Sequence, residues 1–123
     1  EKWKMIMIEI DRMALIIRAK EPFADWLKTI TDDDSFSQES FDSDPTIVLI
    51  PVIEDDEELG QYITEHCVKW LEYEFASWCL DEDKWPKDLS IEKFEIYFSL
   101  HIHSLVIDNV LDDYSTPKNV TLQ

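Results

Sequence analysis

The chain has 123 residues, with 28 acidic side chains against 11 basic ones and a formal charge of −17. This length suits one domain with one core, and a content of 45% hydrophobic and 12% aromatic residues is typical of a folded protein. The charge argues against binding to nucleic acid or to an anionic membrane, because proteins hold phosphate groups with Lys and Arg. The single glycine, Gly60, excludes the glycine-rich loops that bind nucleotide phosphates.

The N-terminal third predicts a strand followed by a helix and a loop. Met5–Ala19 is apolar at both alternating sets of positions, which favours a covered strand, or two short ones. Its charged residues 9, 11 and 12 distinguish it from a signal peptide or a membrane span. Apolar residues at helical spacing predict a helix over Pro22–Ile30. The acidic, serine-rich residues 31–45 show no periodicity, and we expect a mobile loop there.

The central segment predicts a second strand and the longest helix of the chain. Thr46–Ile53 is continuous and β-branched, and Pro51 marks the end of the strand or an edge position. Asp56–Leu80 follows, with apolar residues recurring at steps of three and four. These apolar positions are Leu59, Tyr62, Ile63, His66, Trp70, Leu71, Phe75, Trp78 and Cys79.

The C-terminal third predicts a short helix, a strand and a loose tail. Asp88 or Ser90 can cap a helix that carries Ile91, Phe94 and Phe98. His101–Val110 alternates and is β-branched, which predicts the third strand, and residues 111–123 are expected to be loose.

The element order is β-α-β-α-α-β, which predicts a single domain over residues 1–123, of the α/β or α+β class. We expect a small sheet of about three strands with helices mainly on one face. A right-handed crossover would make the first two strands parallel, and the direction of the third is left open.

Three pieces of the chain together resemble a known family. They are Arg12–Ile17 leading into Pro22–Leu27, Ile47–Pro51 before an acidic helix, and Trp85–Asp88 with Glu92 and Phe94 followed by His103–Asp108. Over most of the range from Arg12 to Val110 they resemble a family of small acidic bacterial proteins of unknown function. The resemblance implies a bacterial, cytoplasmic setting and assigns no active-site residue.

The cysteines predict neither a disulfide nor a nucleophile. Cys67 and Cys79 fall in one predicted helix, about 18 Å apart, whereas a disulfide needs Cα atoms within about 7 Å. Reduced thiols favour the cytoplasm. His66 and Cys67 are adjacent on the helix and point about 100° apart, so they do not form a catalytic pair.

Two histidines are the candidate metal ligands. His101 and His103 form an H-x-H pattern on a predicted strand and project from the same face, with His66, Asp108 or a loop carboxylate as a third ligand. In the alternative interpretation, both histidines are exposed or hydrogen-bonded to neighbouring helices. The aspartates of the loop lack the pattern and the glycine of a calcium site.

The excess of acidic residues suggests a protein partner. A domain of this length is about 35 Å across, and duplex DNA carries about 20 charges over that distance, close to the 17 excess negative charges here. We therefore expect a non-catalytic protein, without a cofactor, that binds a basic partner as an inhibitor, an immunity protein or a DNA mimic. The alternatives are acidity that serves solubility, and a metal-dependent enzyme or metal-binding protein that uses the His101/His103 face. The loop residues expected to contact the partner are Asp32, Asp33, Asp34, Phe36, Glu39, Phe41 and Asp42.

Overall fold

The computed structural model describes residues 8–31 and 44–110, and within these ranges strands and helices follow one another along the chain. A single turn of 3-10 helix, Glu82–Lys84, lies between the second and third helices. The strands and helices are β1 (Ile8–Glu9), β2 (Met13–Ala19), α1 (Glu21–Thr31), β3 (Thr46–Ile50), α2 (Asp56–Ala76), α3 (Ile91–Tyr97), β4 (Phe98–His103) and β5 (Ile107–Asp108).

The strands form two small sheets, and the mixed α/β class is confirmed. The central sheet has the order β3-β2-β4, and β1 pairs with β5. Both neighbours of β2 run antiparallel to it, so the prediction that the first two strands are parallel is wrong. Ile17, near the end of β2, lies opposite Thr46, at the start of β3. The chain therefore leaves β2 and enters β3 at the same end of the sheet, and the crossover rule, which governs parallel connections, does not apply.

The two faces of β2 differ in burial. Met13, Leu15, Ile17 and Ala19 are buried, whereas the residues between them are partly exposed. All three helices contribute buried residues to the same core cluster as this first set, so they pack on one face of the sheet, as predicted. We call this the covered face.

Phe75 of α2 is the centre of the aromatic packing on the covered face. It is fully buried. Its ring centroid lies 4.6 Å from that of Trp26 on α1 and 5.3 Å from that of Tyr97 on α3. Phe23 adds a third contact at 5.7 Å. One side chain of α2 thus joins all three helices, and burying a ring of this size stabilises the fold by about 1.5–3 kcal/mol.

Helix α2 begins at a well-formed cap and ends earlier than the sequence predicts. The carboxylate of Asp55 accepts hydrogen bonds from the backbone N–H groups of Glu57 and Glu58, at 2.8 and 3.1 Å. The helix ends at Ala76, whereas the periodicity extends it to Leu80. Trp78 consequently lies outside the helix and is 44% exposed, although the spacing places it on the apolar face.

The third helix and third strand meet at Phe98, which corrects two predicted boundaries. Phe98 has an extended backbone, with φ −141 and ψ 158, and begins β4 rather than continuing α3. Its ring is buried 5.6 Å from that of Phe94. The predicted strand over His101–Val110 therefore starts three residues earlier, and its second half belongs to β5, which pairs with β1.

The predicted loop over residues 31–45 falls mostly outside the described residues. Thr31 ends α1, and residues 44–45 lead into β3. The predicted tail, residues 111–123, also lies outside them. In the described part of the chain, no helix combines the length and apolarity that a bilayer crossing requires.

Candidate functional site

The sequence-predicted contact residues of the acidic loop cannot be placed. Asp32, Asp33, Asp34, Phe36, Glu39, Phe41 and Asp42 all lie outside the described residues.

His101 and His103 lie on the same face of the central sheet. In the strand register, His101 is opposite Ile16 and His103 is opposite Ala14. These residues belong to the face away from the helices, and both histidines are exposed. We call this the open face. The register assigns to it Ala14, Ile16, Arg18, Ile47, Leu49, Ser99, His101 and His103.

The residues suggested as a third metal ligand do not join the two histidines. His66 lies on α2, where its ring stacks on Tyr62 at a centroid distance of 4.0 Å. Helix α2 covers the other face of the sheet. The Asp108 carboxylate accepts a hydrogen bond from the backbone of Val110 at 2.8 Å. Among residues 8–31 and 44–110, no group of three or more His, Cys, Asp or Glu side chains is arranged to hold a metal ion.

Both cysteines are free thiols, and Cys67 lacks the features of a nucleophile. Burial is the main cause that raises the pKa of Cys67, and the carboxylates of Glu92 and Glu95 raise it further. A raised pKa favours the unreactive thiol over the thiolate. His66 Nδ1 lies 3.0 Å from the carbonyl oxygen of Tyr62, so the neighbouring imidazole has its own partner.

A groove runs between β3 and the second half of α2. It consists of two adjoining clefts of about 350 and 460 Å³. Both clefts are lined by Ile17, Thr46, Tyr73 and Glu74. The first cleft extends to Asp44 and Trp78, and the second to Lys69 and Trp70.

Helical spacing explains why these side chains meet. Trp70 and Glu74 are four residues apart on α2 and therefore lie one above the other on the same side of the helix. Trp78 follows after another four residues, just beyond the helix end. Trp70 is buried, whereas Tyr73 and Trp78 are 42% and 44% exposed at the rim. The periodicity of the sequence predicts both tryptophans on the apolar face of the helix and gives no role to the glutamate between them, although the Trp-x3-Glu-x3-Trp spacing is visible there.

Glu74 is a half-buried carboxyl group in this groove. Its desolvation raises the pKa, and a side-chain hydrogen bond with Thr46 acts in the opposite direction. Among the described residues, Lys28 and Asp25 of α1 form an ion pair at 3.9 Å. None of the described Lys or Arg residues forms an ion pair with Glu74. Burial makes the ionised form of Glu74 costly.

The α2 helix and the open face differ in charge. Glu58, Glu65 and Glu72 are exposed and seven residues apart on α2, which places them along one side of the helix. We call these three residues the acidic ridge. None of the residues that the register assigns to the open face is acidic. This face carries Arg18 and two histidines.

Comparisons with known proteins provide no assignment. No family model, no curated protein and no solved structure matches the chain. The resemblance to small acidic bacterial proteins therefore stays a prediction, and the function has to be argued from the geometry.

Proposed function

We propose that this protein is a non-catalytic binding protein that docks its α2 surface against a basic protein partner. The observation that carries the proposal is the difference in charge between the α2 segment and the open face. Residues 54–58, at the start of α2, are five consecutive acids, the last of which is also the first residue of the acidic ridge. The rest of the helix adds the other two ridge residues and Glu74, and its basic residue is Lys69. The open face carries no acid at its register positions. Acidity that served solubility alone would have no reason to favour one side.

The spacing of the acidic ridge favours an inhibitor or an immunity protein over a strict DNA mimic. Seven residues of helix correspond to about 10.5 Å between successive ridge charges. Duplex DNA carries one charge per about 1.7 Å of its axis. The ridge is much sparser, so it is suited to steering a basic surface into place rather than to reproducing a phosphate backbone. Steering of this kind raises the association rate and falls with ionic strength.

The metal-dependent alternative gains no support from the described residues. His101 and His103 provide two ligands on an exposed, shallow face. Catalytic zinc sites use three protein ligands in a cavity, and no third ligand stands beside these two in the described ranges. We therefore propose no catalytic residue.

The test is to capture the partner from the native host at low ionic strength and to reconstitute the complex from purified components. Association rates are then measured by stopped flow between about 50 and 200 mM salt. We expect a basic partner and a rate that falls steeply with salt. Replacing the three ridge glutamates with glutamine should slow association about tenfold at low salt.

A matched control removes three exposed acids away from α2: Glu9→Gln, Asp11→Asn and Glu21→Gln. The net charge of this variant equals that of the ridge variant. Because its changes lie elsewhere on the surface, we expect its association rate to stay within about twofold of the wild type. A partner without basic character, or equal effects of the two triple variants, would show that the placement of the acids is irrelevant to binding.

A further inference from the structure

The strand β3 forms an outer edge of the central sheet. In the described part of the chain, its one neighbouring strand is β2. All of its residues pair with β2 in an unbroken antiparallel register, so it contains no bulge. In such a pair, alternate residues direct their backbone N–H and C=O groups away from the partner strand. The outer side of β3 therefore offers a row of backbone donors and acceptors to a further strand.

The sequence of β3 lacks the features that normally prevent such pairing. Proteins usually place charged residues, proline or a bulge on an outer strand. The residues from Thr46 to Ile50 include no charge and no proline, and Ile47 and Leu49 are large, exposed apolar side chains. The other outer strand, β4, carries two exposed histidines instead. Of the two edges, β3 is therefore the one suited to accept a strand.

The helix beside β3 leaves room for the side chains of an added strand. The second cleft, of about 460 Å³, separates β3 from α2 and is lined by Val48, Trp70 and Tyr73. Lys69 and Glu74 also line it, and their charges are opposite. Alternate side chains of an added strand would enter this cleft, and the others would lie beside the exposed residues of β3 on the open face. Both sets favour apolar residues at the centre of the incoming strand.

The charges around β3 determine what kind of chain can pair with it. Asp44 lies two residues before the strand, and the acidic run of residues 54–58 follows it, all of them exposed. Lysine or arginine at both ends of an incoming strand would be complementary to these acids. A second copy of this chain is disfavoured, because each copy has a net charge of −17 and the two would repel each other.

We propose that an extended segment of the basic partner adds to β3 as a fourth strand of the central sheet, with apolar residues at its centre and Lys or Arg at its ends. The identity of this occupant rests on the proposed function, which the inference deepens by adding an edge to the α2 surface. Main-chain hydrogen bonds to β3 supply affinity, and the alternate side chains supply specificity.

The inference can be tested with a synthetic strand. The probe is acetyl-Lys-Val-Thr-Val-Thr-Val-Lys-amide, titrated into the ¹⁵N-labelled protein while backbone shifts and amide exchange are recorded. We expect saturable shifts and slower exchange at Thr46–Ile50. The same peptide with glutamate at both ends should bind at least about tenfold more weakly, because its charges face the acids around β3.

Two methylated peptides test whether the backbone makes the contact. One carries N-methyl groups on its three valines and the other on its two threonines. Since N–H groups point alternately to the two sides of a strand, only one of these sets faces β3. We expect one methylated peptide to lose binding and the other to bind like the unmodified probe.

Two lysine variants identify the edge that is used. Leu49→Lys places a charge on β3 and should weaken binding of the probe about tenfold. Ile102→Lys places the same charge on β4, at a residue that is equally exposed, and should leave the affinity within about twofold. Both variants replace exposed side chains, and circular dichroism verifies that they fold.

Unchanged exchange at Thr46–Ile50, equal binding of the two methylated peptides, or equal effects of the two lysine variants would overturn the inference. A dimer in sedimentation that Leu49→Lys abolishes would also overturn it, because the edge would then belong to a second copy.

Its failure is distinguishable from that of the proposed function. If a captured basic partner slows exchange on α2 but not on β3, strand addition is wrong and partner binding stands. If the lysine peptide adds to β3 but the host yields no basic partner, β3 stands as a strand-accepting edge and the proposed function is wrong.

Discussion

The covered and open faces of the central sheet are built from the same three strands but have different compositions. On β2, Leu15 is fully buried beneath the helices, and its neighbour Ile16 is partly exposed on the other side. On β3, Ile50 is 1% exposed, whereas Leu49 is 43% exposed. The helices that cover one face also carry half of the described acids, while the open face is apolar with Arg18 and two histidines. The fold therefore has a packed, acidic side and a weakly charged side, and function is proposed for the first.

The largest expected effect is a difference in the free energy of unfolding between alanine substitutions at two neighbouring residues of β2. Leu15→Ala should lower the free energy of unfolding by about 2–5 kcal/mol, because it leaves a cavity in the core. Ile16→Ala should cost about 1 kcal/mol, because the residue is partly exposed. Urea unfolding followed by circular dichroism measures both. Equal losses would contradict the distinction between the two faces.

The cap of α2 should make the next largest contribution on the covered side. Asp55→Ala removes the acceptor of two backbone N–H groups and should destabilise the protein by about 1 kcal/mol. Asp56→Asn removes a charge from the same turn without removing that acceptor. This substitution should lower the free energy of unfolding by roughly a few tenths of a kcal/mol, which is the lower end of the range for charges that interact with a helix dipole. A larger loss in Asp56→Asn than in Asp55→Ala would show that charge rather than capping begins the helix.

Glu74 should make stability depend on pH. Since burial raises its pKa above the ordinary 4.5, the folded protein binds more protons than the unfolded chain between 4.5 and the raised value. Stability from this group is therefore fully present below 4.5 and is lost as the pH rises through the folded-state pKa. The charged groups that also line the groove, Asp44 and Lys69, are unchanged in Glu74→Gln.

We expect Glu74→Gln to be more stable than the wild type at neutral pH, and the advantage to shrink as the pH falls towards 4.5. Thermal unfolding across that interval measures it, with Glu21→Gln as the control for the loss of one exposed charge. A constant difference at every pH would contradict the assignment of the titration to Glu74.

The smallest effect is expected on the open face. Leu49→Lys replaces a side chain that is 43% exposed on an outer strand of the central sheet, so its free energy of unfolding should change by about 0.5 kcal/mol or less. The matched change at the next residue, Ile50→Lys, buries a charge and should unfold the protein. A large loss for Leu49→Lys would indicate that this face is covered in solution.

Local patterns predicted much of the secondary structure. The predicted helices over Pro22–Ile30 and Asp56–Leu80 correspond to α1 and α2, because amphipathic spacing and capping residues act within a few residues of one another. The strand β2 lies within the predicted Met5–Ala19 strand, but one of its faces is partly exposed, whereas apolar residues at both sets of positions had predicted a strand covered on both faces. The early end of α2 was missed because the apolar spacing continues to Cys79 although the helix ends at Ala76.

What the sequence could not predict depends on contacts between distant residues. The antiparallel pairing of β2 and β3 depends on the end at which the chain re-enters the sheet, and no local sequence pattern predicts that end. The groove needs Thr46 and Glu74 to meet from different elements. The sequence predicts Phe98 on a helix because it follows Phe94 by four residues. In the structure Phe94 belongs to α3 and Phe98 begins β4, and both rings are buried in the core.

The central position of β2 has a consequence for how the protein is made. This strand is synthesised before both of its partners, and the second, Phe98–His103, follows only after β3 and α2. Until β4 has left the ribosome, one side of an apolar strand has no hydrogen-bonding neighbour, and the nascent chain cannot complete its core. Pairings between such distant segments also slow folding. The growing polypeptide is therefore most vulnerable to aggregation before β4 has been synthesised, and that is the interval in which a chaperone would be needed.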